Sequence, residues 1–226
     1  IKKNTDGLTE NMKIGLKYLD DIEKRIPRSE IDEYQKKLTT IFNKSTPKGS
    51  IFDIVGSYRR EAKSSGDIDI IITNDEDNIG SFNNFLDALI KEKLVLEVLT
   101  RGKTKSMVIA QLPNKTPRRL DLLYTSPKEF PFAILYFTGS KLFNTVQRQR
   151  ALDMGYSLNE HGMYKMESGK KGPKIKNEFP TEKSIFDFLG MEYLEPSKRI
   201  NANSVKYITD KVVEEEENKD VTDKKK

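Results

Sequence analysis

The sequence has no cysteine, one histidine and no long apolar run. Without cysteine no disulfide can brace the fold, and no zinc-finger spacing occurs. The single histidine, His161, cannot build a zinc site by itself. No stretch approaches the roughly 18–20 apolar residues of a membrane span, and no secretory signal pattern opens the chain. A P-loop is also absent. The two N-glycosylation sequons, at Asn43 and Asn114, lack a secretory context and read as chance. The first residue is Ile1, not Met, so further sequence is expected upstream, with residues 1–7 as the end of a linker.

What remains is 226 residues, 33% charged and 35% hydrophobic, enough for one large domain or two small ones. The formal charge of +5 is a modest signal for a polyanionic partner. Apolar periodicity predicts a helix over residues 9–26, with Met12, Leu16, Leu19, Ile22 and Ile26 as its stripe and Pro27 as its stop. A second helix begins at Ser29, which forms a capping box with Asp32. Strands are expected at 50–55, 67–73, 95–100, 106–112 and 119–124, with a helix over Phe82–Ile90 between the second and third. The character changes after Ser126-Pro127. Helices at 132–137 and 142–154 lead into a hairpin turning at 159–162. A Gly/Lys loop over 167–178 follows, its Lys170, Lys171, Lys174 and Lys176 read as solvated, and then a last helix over 182–189. This order is an α+β pattern. It divides into a helical segment 1–48, a sheet-bearing segment 49–126, a third subdomain 127–200 and a charged, flexible tail 201–226.

The chemistry concentrates in Gly66-Asp67-Ile68-Asp69-Ile70-Ile71-Ile72. A strand repeats every two residues, so Asp67 and Asp69 share one face while Ile68 and Ile70 bury the other. Two carboxylates held about 4 Å apart repel by roughly 1–4 kcal/mol. A hard divalent cation between them relieves that repulsion. A third carboxylate, Asp121, interrupts the apolar run Leu120-Asp121-Leu122-Leu123, where an unpaired charge is costly. If its strand neighbours that of Asp69, three anions converge and can hold two divalent ions. Upstream, Gly56-Ser57-Tyr58-Arg59-Arg60 supplies a turn, a hydroxyl and cations able to cradle phosphate. The joint pattern is specific for nucleotidyl transfer onto a hydroxyl.

On these residues the chain resembles the family X DNA polymerases, the group of polymerases beta and lambda. The diagnostic stretches are Gly56-Ser57-Tyr58-Arg59-Arg60, Ser64-Ser65-Gly66-Asp67-Ile68-Asp69 and Leu135-Tyr136-Phe137-Thr138-Gly139-Ser140. The resemblance implies a nucleotidyltransferase palm of mixed sheet, a flanking helical subdomain and an α/β C-terminal subdomain. It implies that Asp67, Asp69 and Asp121 are catalytic and hold two Mg2+ ions, for which Mn2+ can substitute. Arg25, Ser57, Arg60 and Gly66 match positions that contact the incoming triphosphate. Tyr136, Phe137 and Gly139 match the segment under the sugar, and the Gly139-Ser140 peptide matches a non-proline cis bond. Asn144 matches a minor-groove contact to the new base, and Arg148 a template contact. Arg119 matches a primer-end residue that also orients the third aspartate, and Lys105 a contact near the primer terminus.

The implied activity is template-dependent gap filling in repair, joining a dNTP to a primer 3′-hydroxyl. The implied partners are gapped or nicked DNA, dNTP and other repair proteins, with a monomeric chain and no membrane. Location follows DNA: the nucleus, or a viral factory or virion. Two alternatives stay open: a terminal transferase or ribonucleotide-adding enzyme on the same fold, and a catalytically silent DNA-end-binding subunit. The family's lyase domain finds no counterpart in this sequence, so no lyase activity is expected of the chain alone. Leu123 replaces an arginine that gates the family's active site, and the short 113–117 connection favours templated synthesis.

Overall fold

The computed structural model describes residues 7–208 and divides into two compact units, one up to Phe130 and one from Pro131. In the first unit the chain runs through α1 (Glu10–Lys17), α2 (Leu19–Ile22), β1 (Ile26–Pro27), α3 (Arg28–Ser45), β2 (Ser50–Ile54), α4 (Gly56–Arg59), β3 (Ser64–Ser65), β4 (Ile68–Asn74), α5 (Gly80–Lys91), β5 (Val95–Arg101), β6 (Lys105–Ala110) and β7 (Arg118–Tyr124). The second holds α6 (Phe130–Thr138), α7 (Lys141–Asp153), β8 (Tyr156–Asn159), β9 (Gly162–Glu167), β10 (Lys170–Lys174) and α8 (Glu182–Phe188). No described helix is long and apolar enough to cross a membrane.

The first unit is built on a five-stranded mixed sheet in the order β2-β4-β7-β6-β5. Its neighbouring inner strands β4 and β7 are parallel, and every other pairing is antiparallel. On one face, Ile68, Ile70, Leu120 and Leu122 are buried against Ile31, Tyr34 and Leu38 of α3 and Phe82, Phe85 and Leu89 of α5. The 3-and-4 spacing of those helical residues is what turns both helices toward the sheet. Phe42, Phe52 and Phe85 meet with ring centroids 4.8–5.8 Å apart, each such pair adding about 0.5–1.5 kcal/mol beyond its buried area.

The segment boundaries differ from the expectation in two places. Residues 1–48 do not form a separate helical body among those described, because α3 shares one core with the sheet. The second break falls after Phe130 rather than Ser126.

Other differences are local. The helix expected over 9–26 breaks at Tyr18, and Ile26 is instead a strand residue paired with Ser65. No capping box forms at Ser29: α3 starts at Arg28, and Asp32 accepts a hydrogen bond from the Tyr58 hydroxyl at 2.8 Å.

The second unit packs α6, α7 and α8 and the three-stranded sheet β10-β9-β8 around Phe132, Leu135, Phe143, Met163, Ile185 and Phe186. The expected 167–178 loop contains a strand, β10, which pairs antiparallel with β9 through a register shift between Lys171 and Lys174. Pro173 sits in that irregularity, where no ladder N–H is required of it. The tail expected from 201 begins with ordered backbone. Residues Ala202–Ser204 form a 3-10 turn, and Tyr207 bridges to Met191. The rest of that tail lies outside the described residues.

Candidate active site

The parallel register of β4 and β7 sets Asp69 directly beside Asp121. Alternation does the rest: Leu120 and Leu122 face the core while Arg119 and Asp121 face the other side. The same alternation separates two adjacent arginines. Arg118 turns inward, 5% exposed, and grips Glu30 through two hydrogen bonds of 2.7 and 2.8 Å. Arg119 turns outward to donate to Asp67, and its Nε lies 3.1 Å from Asp121.

Charge and burial act together on the carboxylates. Burial first, then the charges of Asp67 and Asp121, push the Asp69 carboxyl up to about 6, against the pull of Arg119 and Lys105. Burial also raises Asp121, countered chiefly by Arg119. Asp121 Oδ1 is buried and has no aligned hydrogen-bond donor. As placed, no three His, Cys, Asp or Glu side chains among the described residues form a metal-holding group; the cation set between Asp67 and Asp121 is the Arg119 guanidinium. The donor chemistry nonetheless fits a divalent ion: hard oxygens, and three carboxylates set against Arg119 and Lys105.

The raised Asp69 value has a consequence for stability. An ordinary aspartate titrates near 3.9, so the folded protein holds this proton more tightly than the unfolded chain. The resulting stabilisation is complete below about pH 4 and is lost as pH rises through about 6. Above that, ionised Asp69 costs up to about 3 kcal/mol in metal-free buffer. Asp69→Asn therefore raises the melting temperature at pH 7.5, and the gain vanishes at pH 4. An equal gain at both values would show that the effect is not charge.

The flank of the cluster that carries Arg25, Ser57 and Arg60 is assembled from distant segments. Pairing of Ile26 with Ser65 brings Arg25 beside Ser64, to which it donates from Nη2 to the carbonyl at 2.6 Å and from Nε to the hydroxyl at 3.2 Å. Ser57, second residue of α4, has its hydroxyl 2.7 Å from that of Ser65. Gly56 has φ +66, and a Cβ there would stand 3.2 Å from Asp69 Oδ2, so a residue without Cβ is what the close approach calls for. At Gly66 a Cβ would meet only Arg25 Nη1, at an ordinary 3.5 Å. Arg60 caps α4, and burial lowers its guanidinium. Lys105 begins β6, the strand next to β7.

Sequence reasoning missed what fixes this turn. Arg28 donates to the Tyr58 carbonyl at 2.7 Å and covers the Tyr58 ring at 4.3 Å, while Tyr58 donates to Asp32. That chain ties the Gly56–Arg60 turn to α3.

The remaining predicted residues lie in the second unit. The Gly139-Ser140 peptide is cis. Ser140 caps α7, its Oγ accepting from Phe143 N at 3.4 Å, and its own N–H donates to Arg199 O. Asn144 Nδ2 donates to the Tyr136 carbonyl at 2.7 Å, satisfying a carbonyl left over at the end of α6. Tyr136 and Phe137 meet edge to face at 5.1 Å. A small apolar pocket is lined by Tyr136, Asn144, Gln147 and Arg148 with Phe132, Leu135 and Leu158. Arg199 was also missed. It is fully buried, pairs with Glu182 at 2.6 Å and sits among Phe143, Phe186 and Tyr193.

Comparison with known proteins bears on both units. Residues 25–127 match the family model described as DNA polymerase beta palm, and residues 133–200 match DNA polymerase beta thumb. The chain belongs to the family X DNA polymerases. Among curated relatives, this family X chain is similar to DNA polymerase lambda of Arabidopsis thaliana, 32% identical over 215 residues that cover 87% of this chain and 40% of the relative. It is likewise similar to DNA polymerase lambda of Rattus norvegicus, 34% identical over 207 residues that cover 85% of this chain and 36% of the relative. The chain thus spans well under half the length of these relatives.

Proposed function

We propose that this chain carries out template-dependent gap filling on nicked or gapped DNA. The primer 3′-oxygen attacks the α-phosphorus of a dNTP; the new P–O bond forms as the bond to pyrophosphate breaks, and pyrophosphate leaves with the electron pair. Asp121, beside Asp69 across the parallel strands, receives or orients the hydroxyl proton. Asp67, Asp69 and Asp121 would hold two Mg2+ ions, which when bound supply charge neutralisation at the phosphates. Arg25, Ser57 and Arg60 would meet the triphosphate. The observation that carries the reading is the Asp69–Asp121 register, with Asp67 drawn in through Arg119.

Templated synthesis is favoured over template-independent addition by the compact β6–β7 connection. Gln111 donates to Lys115 O at 2.6 Å, and Lys115 pairs with Glu33 at 3.1 Å. Extension of a labelled primer on a one-nucleotide gap, with Mg2+ and each dNTP in turn, tests this. Incorporation of the complementary nucleotide alone is expected. Equal addition to a single-stranded primer would favour the transferase, and no addition with Mg2+ or Mn2+ would favour the silent subunit.

Asn144 offers a finer test. Each amide nitrogen has two protons, and one is spent on Tyr136 O. The other is then free for the acceptors that every base pair shows in the minor groove. Asn144→Asp replaces a donor by an anion facing a carbonyl. It is expected to raise KM for dNTP by at least about tenfold, or about 1.4 kcal/mol, and by more than Asn144→Ala. A KM for the aspartate variant at or below that of the alanine variant would remove the assignment.

A further inference from the structure

We propose that the β9–β10 ribbon is a binding surface for the phosphate backbone of duplex DNA, in the unit that does not hold the carboxylates. The inference rests on the polymerase reading and adds a contact surface to it. Residues 161–178 carry five lysines against two glutamates. All five are exposed, and Lys165, Lys170, Lys171 and Lys176 form no ion pair among the described residues.

Pairing in the ribbon gives these charges an order. Lys174 is the cross-strand partner of Tyr164, so both project from one face. Ile175 donates to Met163 O at 3.0 Å and packs on the second core. Its neighbours Lys174 and Lys176 therefore point the other way. Lys171 reaches back over the Tyr164 ring, 3.6 Å from its centroid. One face thus presents Tyr164, Lys171, Lys174 and Lys176 together.

Lysine on an edge strand also discourages pairing with another sheet. That role needs charge and no placement, whereas two of these side chains are placed. Lys174 Nζ is held by His161 O at 2.6 Å, and Lys171 by the aromatic face. An ammonium carries three donors, and Lys171, held only by the ring face, can turn them to a phosphate oxygen, while Lys174 adds its fixed positive charge. A row of cations with an aromatic beside them fits a regular line of phosphates.

The test is the salt dependence of DNA binding. Anisotropy of a labelled gapped duplex is followed between 50 and 200 mM KCl for the wild type and for the triple variant Lys171→Gln, Lys174→Gln, Lys176→Gln. Each lost phosphate contact should flatten the slope of log K against log salt by about 0.9. The triple variant is thus expected to lie about 2–3 shallower, with unchanged kcat at saturating DNA. A second triple variant, Lys36→Gln, Lys44→Gln, Lys91→Gln, removes the same formal charge from α3 and α5 and should leave the slope unaltered. A wild-type slope in the ribbon variant, an equal loss in the control, or a loss confined to single strands overturns the ribbon. A wild type that binds duplex but never extends a primer overturns the polymerase reading instead, and the ribbon is then judged by its slope alone.

Discussion

Asparagine at Asp69 or Asp121 lowers the rate of primer extension by more than about 1000-fold, at least about 4 kcal/mol of transition-state stabilisation, in a protein that remains folded. The substitution nearly keeps the volume of the side chain, removes its charge and turns one acceptor oxygen into an NH2 donor. Asp69 and Asp121 are direct neighbours across parallel strands, and each feels the negative charge of Asp67. Losing one of three anions weakens the hold on any divalent cation at the step where charge must be neutralised. Single-turnover extension of a gapped duplex, with a circular dichroism spectrum of each variant, checks this. Extension above about a tenth of the wild-type rate by either variant would withdraw its aspartate from catalysis.

The second large effect is on stability. Glu30→Ala costs about 3–5 kcal/mol, the range for removing one member of a buried ion pair. Glu30 and Arg118 are joined by two hydrogen bonds with side-chain exposures of 8% and 6%, and Arg118 also donates to the Lys24 carbonyl at 3.0 Å. The single substitution strands the guanidinium in the interior. Replacing both, as Glu30→Leu with Arg118→Met, removes the stranded charge and recovers most of the loss. Urea denaturation with an unchanged slope is the measurement. A loss below about 1 kcal/mol for Glu30→Ala would show that water reaches the pair.

The aspartates were legible in the sequence because polar residues inside apolar runs, at a two-residue period, leave few alternatives to a shared face. Their meeting across β4 and β7 rests on strand order, which periodicity alone does not supply. Arg118 could have been separated from Arg119 by the same period, since it falls on the face of Leu120 and Leu122. The link from Arg28 through Tyr58 to Asp32 was hidden. Its partners are 26–30 residues apart, and Asp32 stands where a capping box would also place an acid. Strand β10 was missed because glycine, proline and lysine all depress strand propensity; pairing with β9 outweighs that. The early break of the first helix, at Tyr18, left no mark in the stripe of apolar residues.

The segment after Ile200 has a practical meaning for anyone trimming this protein. Ile208 N–H donates to Gly190 O at 3.0 Å, Glu192 N–H to Lys206 O at 2.9 Å, and Val205 and Tyr207 lie on the second core. A shortened version that stops where the thumb family model stops, at residue 200, would uncover Met191 and leave those backbone groups to solvent. A version that keeps residues 201–208 keeps these bonds.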